Sequence, residues 1–500
     1  MQTYDVVITG SGMGGLVCAN LLAAEGLKVC VLEKNNQAGG NLQTFVRDKL
    51  IFDSGVHYIG GLGKGQNLYQ IFRYLGIMDE LRIEQMDPDG FDKILIGNDP
   101  KIYSQAQGYE SFIRNLSRDF PGEENNIRRY CDHIRHICAQ FPLYNLQTDG
   151  GNKTSVMSEG AEEAIAAFTS NPKLRAVLAG NNLLYAGEGG RTPFYVHALI
   201  LNSYIESSWK CIRGGSQIAK QLIKQLRAHG GELFRHTEVT RFVCDNEKVT
   251  YVETNNGNFA AKQFISNISP VHTLAMTDSP LLKEVYRQRI NHLPNTIASF
   301  SAHLVLQEQA VPYSSGNYYY HREGRVWSMN DYTQEEWPLG YGMFYTRSEQ
   351  HSAYAESITI FTGMHYSEME PWKESFHTVA GGTPRGEAYE LFKKRKGEQL
   401  LDRVEERFPG LRKAIKACYT TTPLTYRDYI GSGDGTMYGF AKDYNDPLKT
   451  FMSPRTKLPN LYLTGQNLNL HGILGTALSG IMTSITLLGD DKIVEKIRHA

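Results

Sequence analysis

The chain has 500 residues, of which 41% are hydrophobic, 21% are charged and 48 are glycine. That is enough for two or three structural units around a buried core, and it excludes a disordered or fibrous protein. The net charge is −1 with both signs mixed along the chain, so no basic stripe points to nucleic acid and no acidic tail is present. Seven cysteines without a Cys-x-x-Cys pair exclude a dithiol centre and fit a reducing, cytoplasmic setting.

The first strand begins near Tyr4, so no secretory leader is expected. YDVVITGSGMGGLVCANLLAAEGLKVCVLEK then reads strand, turn, helix, turn, strand. Val6, Val7 and Ile8 are continuously apolar, as in a strand buried on both faces. Gly10, Gly12 and Gly15 fit G-x-G-x-x-G, with an additional Gly14. Gly10 suits a tight turn, Gly12 a close approach of pyrophosphate to backbone, and Gly15 the packing of helix on strand. The helix that follows stops at Gly26, and its N-terminus offers free N–H groups to phosphates. The strand Lys28–Leu32 ends in Glu33, placed to accept hydrogen bonds from a ribose. The pattern predicts a dinucleotide site.

Beyond Glu33 the sequence continues EKNNQAGGNLQTF, bringing a second glycine pair, Gly39 and Gly40. This E-x5-G-G spacing resembles the GR2 branch of flavoproteins, which includes amine oxidases, phytoene desaturases and GDP-dissociation inhibitors. The resemblance implies FAD, an α/β fold with a Rossmann-like FAD-binding domain, and a substrate domain interleaved with it that combines a mixed sheet with helices. The nucleotide parts fall at 1–66, 210–277 and 425–500, and the substrate parts at 67–209 and 278–424. No second G-x-G-x-x-G unit follows, so electrons are expected from diffusing NAD(P)H, from a protein donor, or not at all on balance.

In the first insertion, helical patterns such as NLYQIFRYLGIMDELR dominate. Within it, CDHIRHIC (131–138) brings two cysteines and two histidines close together. At 3.6 residues per turn Cys131 and Cys138 share an apolar face while His133 and His136 point away, so the four cannot converge on zinc. The histidines read as a solvated face, and no metal is expected. The stretch Arg213–Pro270 reads helix, strand, and a hairpin turning at 255–257. By resemblance, the backbone at Val239 meets the adenine ring, and the other residues of this stretch are plain scaffold.

The second insertion shows strand patterns in IASFSAHLVLQ and ESITIFTGM. Tyr318, Tyr319, Tyr320, Trp327 and Tyr332 are either lining for an isoprenoid tunnel or sheet core. RFPGLRKAIKACY (407–419) reads as the connector back to the FAD domain. The chain closes on LPNLYLTGQNLNLHGILGTALSG and an uncharged run to Gly489. This run is short and glycine-rich for a membrane span, and a buried helix is expected.

Four motifs, GGNLQTF, FDSGVHYIGGLG, TPLTYRDYIGSGDGTMYGF and LTGQNLNLHGILG, resemble those of retinol saturases and carotenoid isomerases. That resemblance implies redox or isomerisation at a C=C bond of a long apolar polyene, with hydride exchanged at flavin N5. It also implies that the C-terminal strand-turn-helix returns to the nucleotide. The expected cofactor-binding residues are Gly10, Gly12, Gly14, Gly15, Glu33, Lys34, Gly40, Asn41, Val239, Gly465, Gln466 and Ile473. His57 is the catalytic candidate, on a strand expected near the ring, with Tyr58 as lining or core. An apolar substrate arriving from a bilayer would bring peripheral membrane contact. Two alternatives share the scaffold: a flavin amine oxidase, and a non-catalytic prenyl-lipid escort of the GDP-dissociation-inhibitor type.

Overall fold

Three distant stretches of chain supply the strands of one sheet. A computed structural model describes residues 2–148 and 154–500. The strands of this sheet and the two helices considered with it are β1 (Gln2–Thr9), α1 (Met13–Ala24), β2 (Val29–Leu32), β3 (Glu232–Phe234), β4 (Val239–Cys244), β5 (Val249–Thr254), β6 (Gly257–Ser266), β7 (Leu461–Leu463) and α2 (Gly472–Leu488). The strand order is β3-β2-β1-β6-β5-β4, and β7 pairs with the end of β6. β1 runs parallel to β2 and β6, and β7 parallel to β6, whereas β4, β5 and β6 form an antiparallel meander.

The apolar run in β1 is explained by burial on both faces. Val6 and Ile8 pack with Cys18, Ala19 and Leu22 of α1, while Val7 packs on the opposite side with Phe242 and Phe264. α1 and α2 then lie against each other through small residues. A Cβ added at Gly480 would stand 2.9 Å from the Gly14 carbonyl oxygen and from Val17, and the Cys18 thiol donates to the Gly480 carbonyl at 3.2 Å. The C-terminal apolar run is thus a packed helix. Among the described residues no helix is long and apolar enough to cross a membrane.

A second sheet is also seven-stranded. Its order is Ile415–Thr421, Ala298–Leu306, Ala355–Met364, Gly340–Arg347, Asn317–His321, Asp92–Ile96, Tyr103–Gln105. Two of its members depart from the sequence reading. The supposed connector at 407–419 instead contains most of the edge strand Ile415–Thr421, paired with Ala298–Leu306. Lys413 and Lys416 gave it a solvated look, which is how exposed edge strands are commonly composed. The first insertion, read as mainly helical, contributes Asp92–Ile96 and Tyr103–Gln105. Runs of five and three residues carry almost no periodic signal, and the first pairs with a strand more than 200 residues away.

The helix Glu124–Ala139 buries Cys131 and Cys138. His136 is exposed, but His133 is not part of a solvated face. It is half-buried, pairs with Glu159 at 2.9 Å and stacks on Phe194 at 4.9 Å between centroids. The five aromatics of the second insertion divide between core and support. Tyr320 stacks on Tyr341 at 5.0 Å, Tyr319 bonds to Tyr58, and Tyr332 donates to Glu368 at 2.6 Å. None of the five lines the cavities described below.

Candidate active site

The carboxyl ends of four parallel strands converge, the place where open α/β sheets bind ligands. β1 leads into Gly10, β2 into Glu33, β6 into Asn267 and β7 into the turn to Gly465. They open on an elongated cleft of about 500 Å³. Gly10 and Gly465 hold φ of +90° and +96°, a region that costs an L-residue with a Cβ roughly 1–2 kcal/mol. The Asn267 side chain lies under this turn. A Cβ at Gly12 or Gly14 would come within 2.9 Å of it, and one at Gly465 within 2.7 Å, while its own amide donates to the Gly10 carbonyl at 3.3 Å. Glycine at 12 and 14 is therefore required by the Asn267 side chain beneath the turn.

Glu33 is 5% exposed at the cleft wall. Its carboxylate accepts from the Ser11 N–H at 3.1 Å, from the Ser11 hydroxyl and from the Asn35 N–H at 2.8 Å. A carboxylate has about four lone-pair sites, so one remains for a ribose hydroxyl. Lys34 also lines the cleft, with Nζ donating to the Asp428 carbonyl at 3.1 Å. Val239, Gly40 and Asn41 line the cleft as well.

The two remote ends of the chain meet here. Gly12 and Gly14 at the start of α1, and Gly472 and Ile473 at the start of α2, line one cleft, with Gln466 between them. Neither helix has a side-chain cap or an acidic residue in its first turn, so both leave unpaired N–H groups and a positive dipole end. Gly15 is the exception among the expected contacts. It does not line the cleft, because an added Cβ would sit 2.3 Å from the Gly10 carbonyl; it serves helix–strand packing.

His57 departs from expectation in position. It lies in a bend between the strands Leu50–Asp53 and Ile59–Gly60, outside the cleft proper. It lines a separate small cavity of about 110 Å³ that shares Val56, Met437, Tyr438, Gly472 and Ile473 with the cleft. The imidazole stacks on Phe344 at 4.4 Å between centroids and has no hydrogen-bond partner among the described residues. Burial, aided by Lys210, lowers its pKa to about 4, and burial likewise takes His471 on the facing wall to about 4. Both are neutral near pH 7. Tyr58, on the same wall, donates to the fully buried Asp92 at 2.8 Å and meets the Tyr319 hydroxyl at 2.8 Å. Burial raises the Asp92 pKa to about 7 despite these bonds.

The donor set fits FAD. An elongated cleft carries one acidic anchor, two uncapped helix N-termini and a glycine surface whose Cβ positions are already filled. Bound there, FAD would be held by Glu33 at one end, by the α1 turn in the middle and by the α2 turn at the other. Sequence reasoning missed Asn267, classed as scaffold, although its place just beyond a parallel strand was the available signal. It also missed Ser11, which links Glu33 to the Gly39 N–H at 3.0 Å.

Comparison with known proteins agrees with this geometry. The family model described as flavin containing amine oxidoreductase matches residues 13–485. All-trans-retinol 13,14-reductase of Danio rerio is 28% identical over 96% of this chain and 85% of its own length. Prolycopene isomerase 1 of an Oncidium hybrid cultivar is 24% identical over 99% and 85%. Among solved structures, an oxidoreductase of Methanosarcina mazei superposes with a TM-score of 0.65 at 15% identity, covering 98% of this chain and 100% of that one. A putrescine oxidase variant gives 0.65 at 13% identity, covering 98% and 99%. With a matched region that begins in the α1 turn and runs through most of α2, the chain belongs to the flavin-containing amine oxidoreductase family and is an FAD-dependent oxidoreductase.

Proposed function

We propose that the protein carries out hydride-level redox or isomerisation at a C=C bond of a long apolar polyene or isoprenoid. The observation that carries this reading is the cavity at the α2 end of the cleft. Its walls include Leu68, Leu184, Leu199, Phe344, Phe361 and Leu474, and among the described residues no Asp, Glu, Lys or Arg lines it. An ammonium substrate entering such a site would be desolvated without a carboxylate to meet it, whereas a hydrocarbon chain is at home there. The similarity to retinol reductases and prolycopene isomerases supports the same class.

FAD supplies hydride exchange at its N5. The chain's part is positioning and exclusion of water. Phe344 and Tyr438 wall the cavity, and neutral His57 presents a hydrogen-bonding edge without a charge. The α2 N-terminus offers N–H groups to an electron-rich edge of the cofactor. The residues we assign to cofactor binding are Gly10, Gly12, Gly14, Glu33, Lys34, Gly40, Asn41, Val239, Gly465, Gln466 and Ile473, now with Asn267. For net reduction, electrons come from a diffusing NAD(P)H or a protein donor; isomerisation needs none on balance; and an apolar substrate is drawn from a bilayer by peripheral contact.

The test is anaerobic. Chemically reduced enzyme mixed with all-trans-retinol or prolycopene is expected to regain the absorbance of oxidised flavin or to yield an isomerised polyene on chromatography. Reduced enzyme that does neither, together with peroxide-releasing turnover of a simple amine in a separate assay in air, would replace this reading with an amine oxidase.

A further inference from the structure

We propose that the cavity between α2 and the loop following the Glu124–Ala139 helix is the channel that holds the apolar chain of the substrate. This deepens the function proposed above and rests on it. The cavity measures about 360 Å³ and shares Leu199 and Leu470 with the small cavity beside His57. It thus continues the reactive end of the cleft toward solvent. Gln147, Thr148 and Asp491 at its outer end are exposed, whereas Tyr195, Leu199 and Leu470 at its inner end are 4–8% exposed.

α2 supplies the continuity. Leu474, Leu478, Met482 and Ile485 follow at intervals of four, four and three, one face of the helix. Leu474 lines the inner cavity and the other three line the outer one. At 1.5 Å per residue this makes an apolar rail about 16 Å long. Leu478, Met482 and Ile485 are only half-buried, so apolar surface faces the space. Across it stand Phe141 and Leu143 of the loop.

The larger cavity of about 1050 Å³, which shares Asn35, Tyr429 and Ile430 with the cleft, is a poorer match. It is lined by Arg47, Glu390, Lys393, Lys394 and Glu398. Among the described residues the channel has a single charged wall residue, Asp491, at its mouth. Desolvating charges against a hydrocarbon is unfavourable, and burying apolar surface is favourable by about 25 cal/mol per Å². The chain therefore follows α2.

The experiment uses the FAD-loaded enzyme and cis-parinaric acid, a polyene whose fluorescence reports an apolar site. Met482→Trp fills the channel, and Thr486→Trp narrows its outer part at a half-exposed position tolerant of size. Cys418→Trp does the same in the larger cavity. Both channel variants are expected to bind the probe about tenfold more weakly or worse, while Cys418→Trp binds as the parent and all three keep a full complement of FAD. Parent-like binding by both channel variants, or loss confined to Cys418→Trp, overturns the channel. Loss in the channel variants combined with a parent enzyme inert toward retinol and prolycopene keeps the channel and removes the polyene reaction. Unaltered polyene turnover in Met482→Trp does the reverse.

Discussion

Asn267 shows how one side chain dictates its neighbours. Its amide occupies the room that Cβ atoms at Gly12, Gly14 and Gly465 would need, so three glycines from opposite ends of the chain answer to one residue. Asn267→Ala removes the contact to the Gly10 carbonyl and leaves the turn without its floor. Losing a hydrogen-bond partner at this partly buried turn costs about 1 kcal/mol or somewhat more, and 1.4 kcal/mol is tenfold in affinity. FAD affinity, measured by titrating the apoprotein and following flavin fluorescence, is expected to fall about tenfold with the far-ultraviolet circular dichroism unchanged. An affinity equal to the parent's would remove Asn267 from the site.

At the scale of elements, α2 has two working faces. Small residues, Gly480 and Ser484 among them, let it lie against α1, and the Leu474–Ile485 face looks into the cavities. Placing its first turn at the cleft requires the close approach at Gly480. Gly480→Leu drives a side chain into Gly14 and Val17, and overpacking of this kind costs about 1–3 kcal/mol. Denaturant unfolding is expected to show that loss together with reduced FAD content, because displacing α2 from α1 moves both helix N-termini. Undiminished stability would mean that the two helices separate without consequence.

Across the whole molecule, five histidines with depressed pKa values, four of them buried, bias the response to acid. Burial lowers His57, His321 and His471 to about 4, and His197 and His303 to about 3, from an ordinary value near 6.5. Between pH 4 and 6.5 the unfolded chain binds these protons and the folded chain does not. Their contribution is therefore complete above 6.5 and is lost as pH falls toward 4. Asp53 and Asp92, raised to about 7 by burial, act in the opposite sense: the folded state keeps their protons where the unfolded state has released them. Five groups outweigh two. The melting temperature is expected to drop as pH is lowered from 6.5 to 5, and a rise over that interval would contradict the burial of these histidines.

What could be read in advance was whatever depended on neighbours in sequence. The β1–α1–β2 unit, its glycine turn, Glu33, the 255–257 hairpin turn and the apolar C-terminal helix follow from local spacing, since a strand, a tight turn and a helix start each leave a mark within a dozen residues. The resemblance extended the expected set to Val239 and Gly465, both of which line the cleft. Short strands left no such mark. Asp92–Ile96, Tyr103–Gln105 and Ile415–Thr421 became strands because a distant partner offered its ladder. Asn267 looked like scaffold until β6 lay between β1 and β7. The bend that takes His57 out of a strand and onto Phe344, and the alignment of one α2 face with two cavities, were likewise decided in three dimensions. The sequence by itself determined the nucleotide-binding unit and the closing helix, because hydrogen bonding and backbone geometry there are local. Only the tertiary structure decided which side chains share a wall, because cavities arise where elements far apart in the chain fail to fill the space between them.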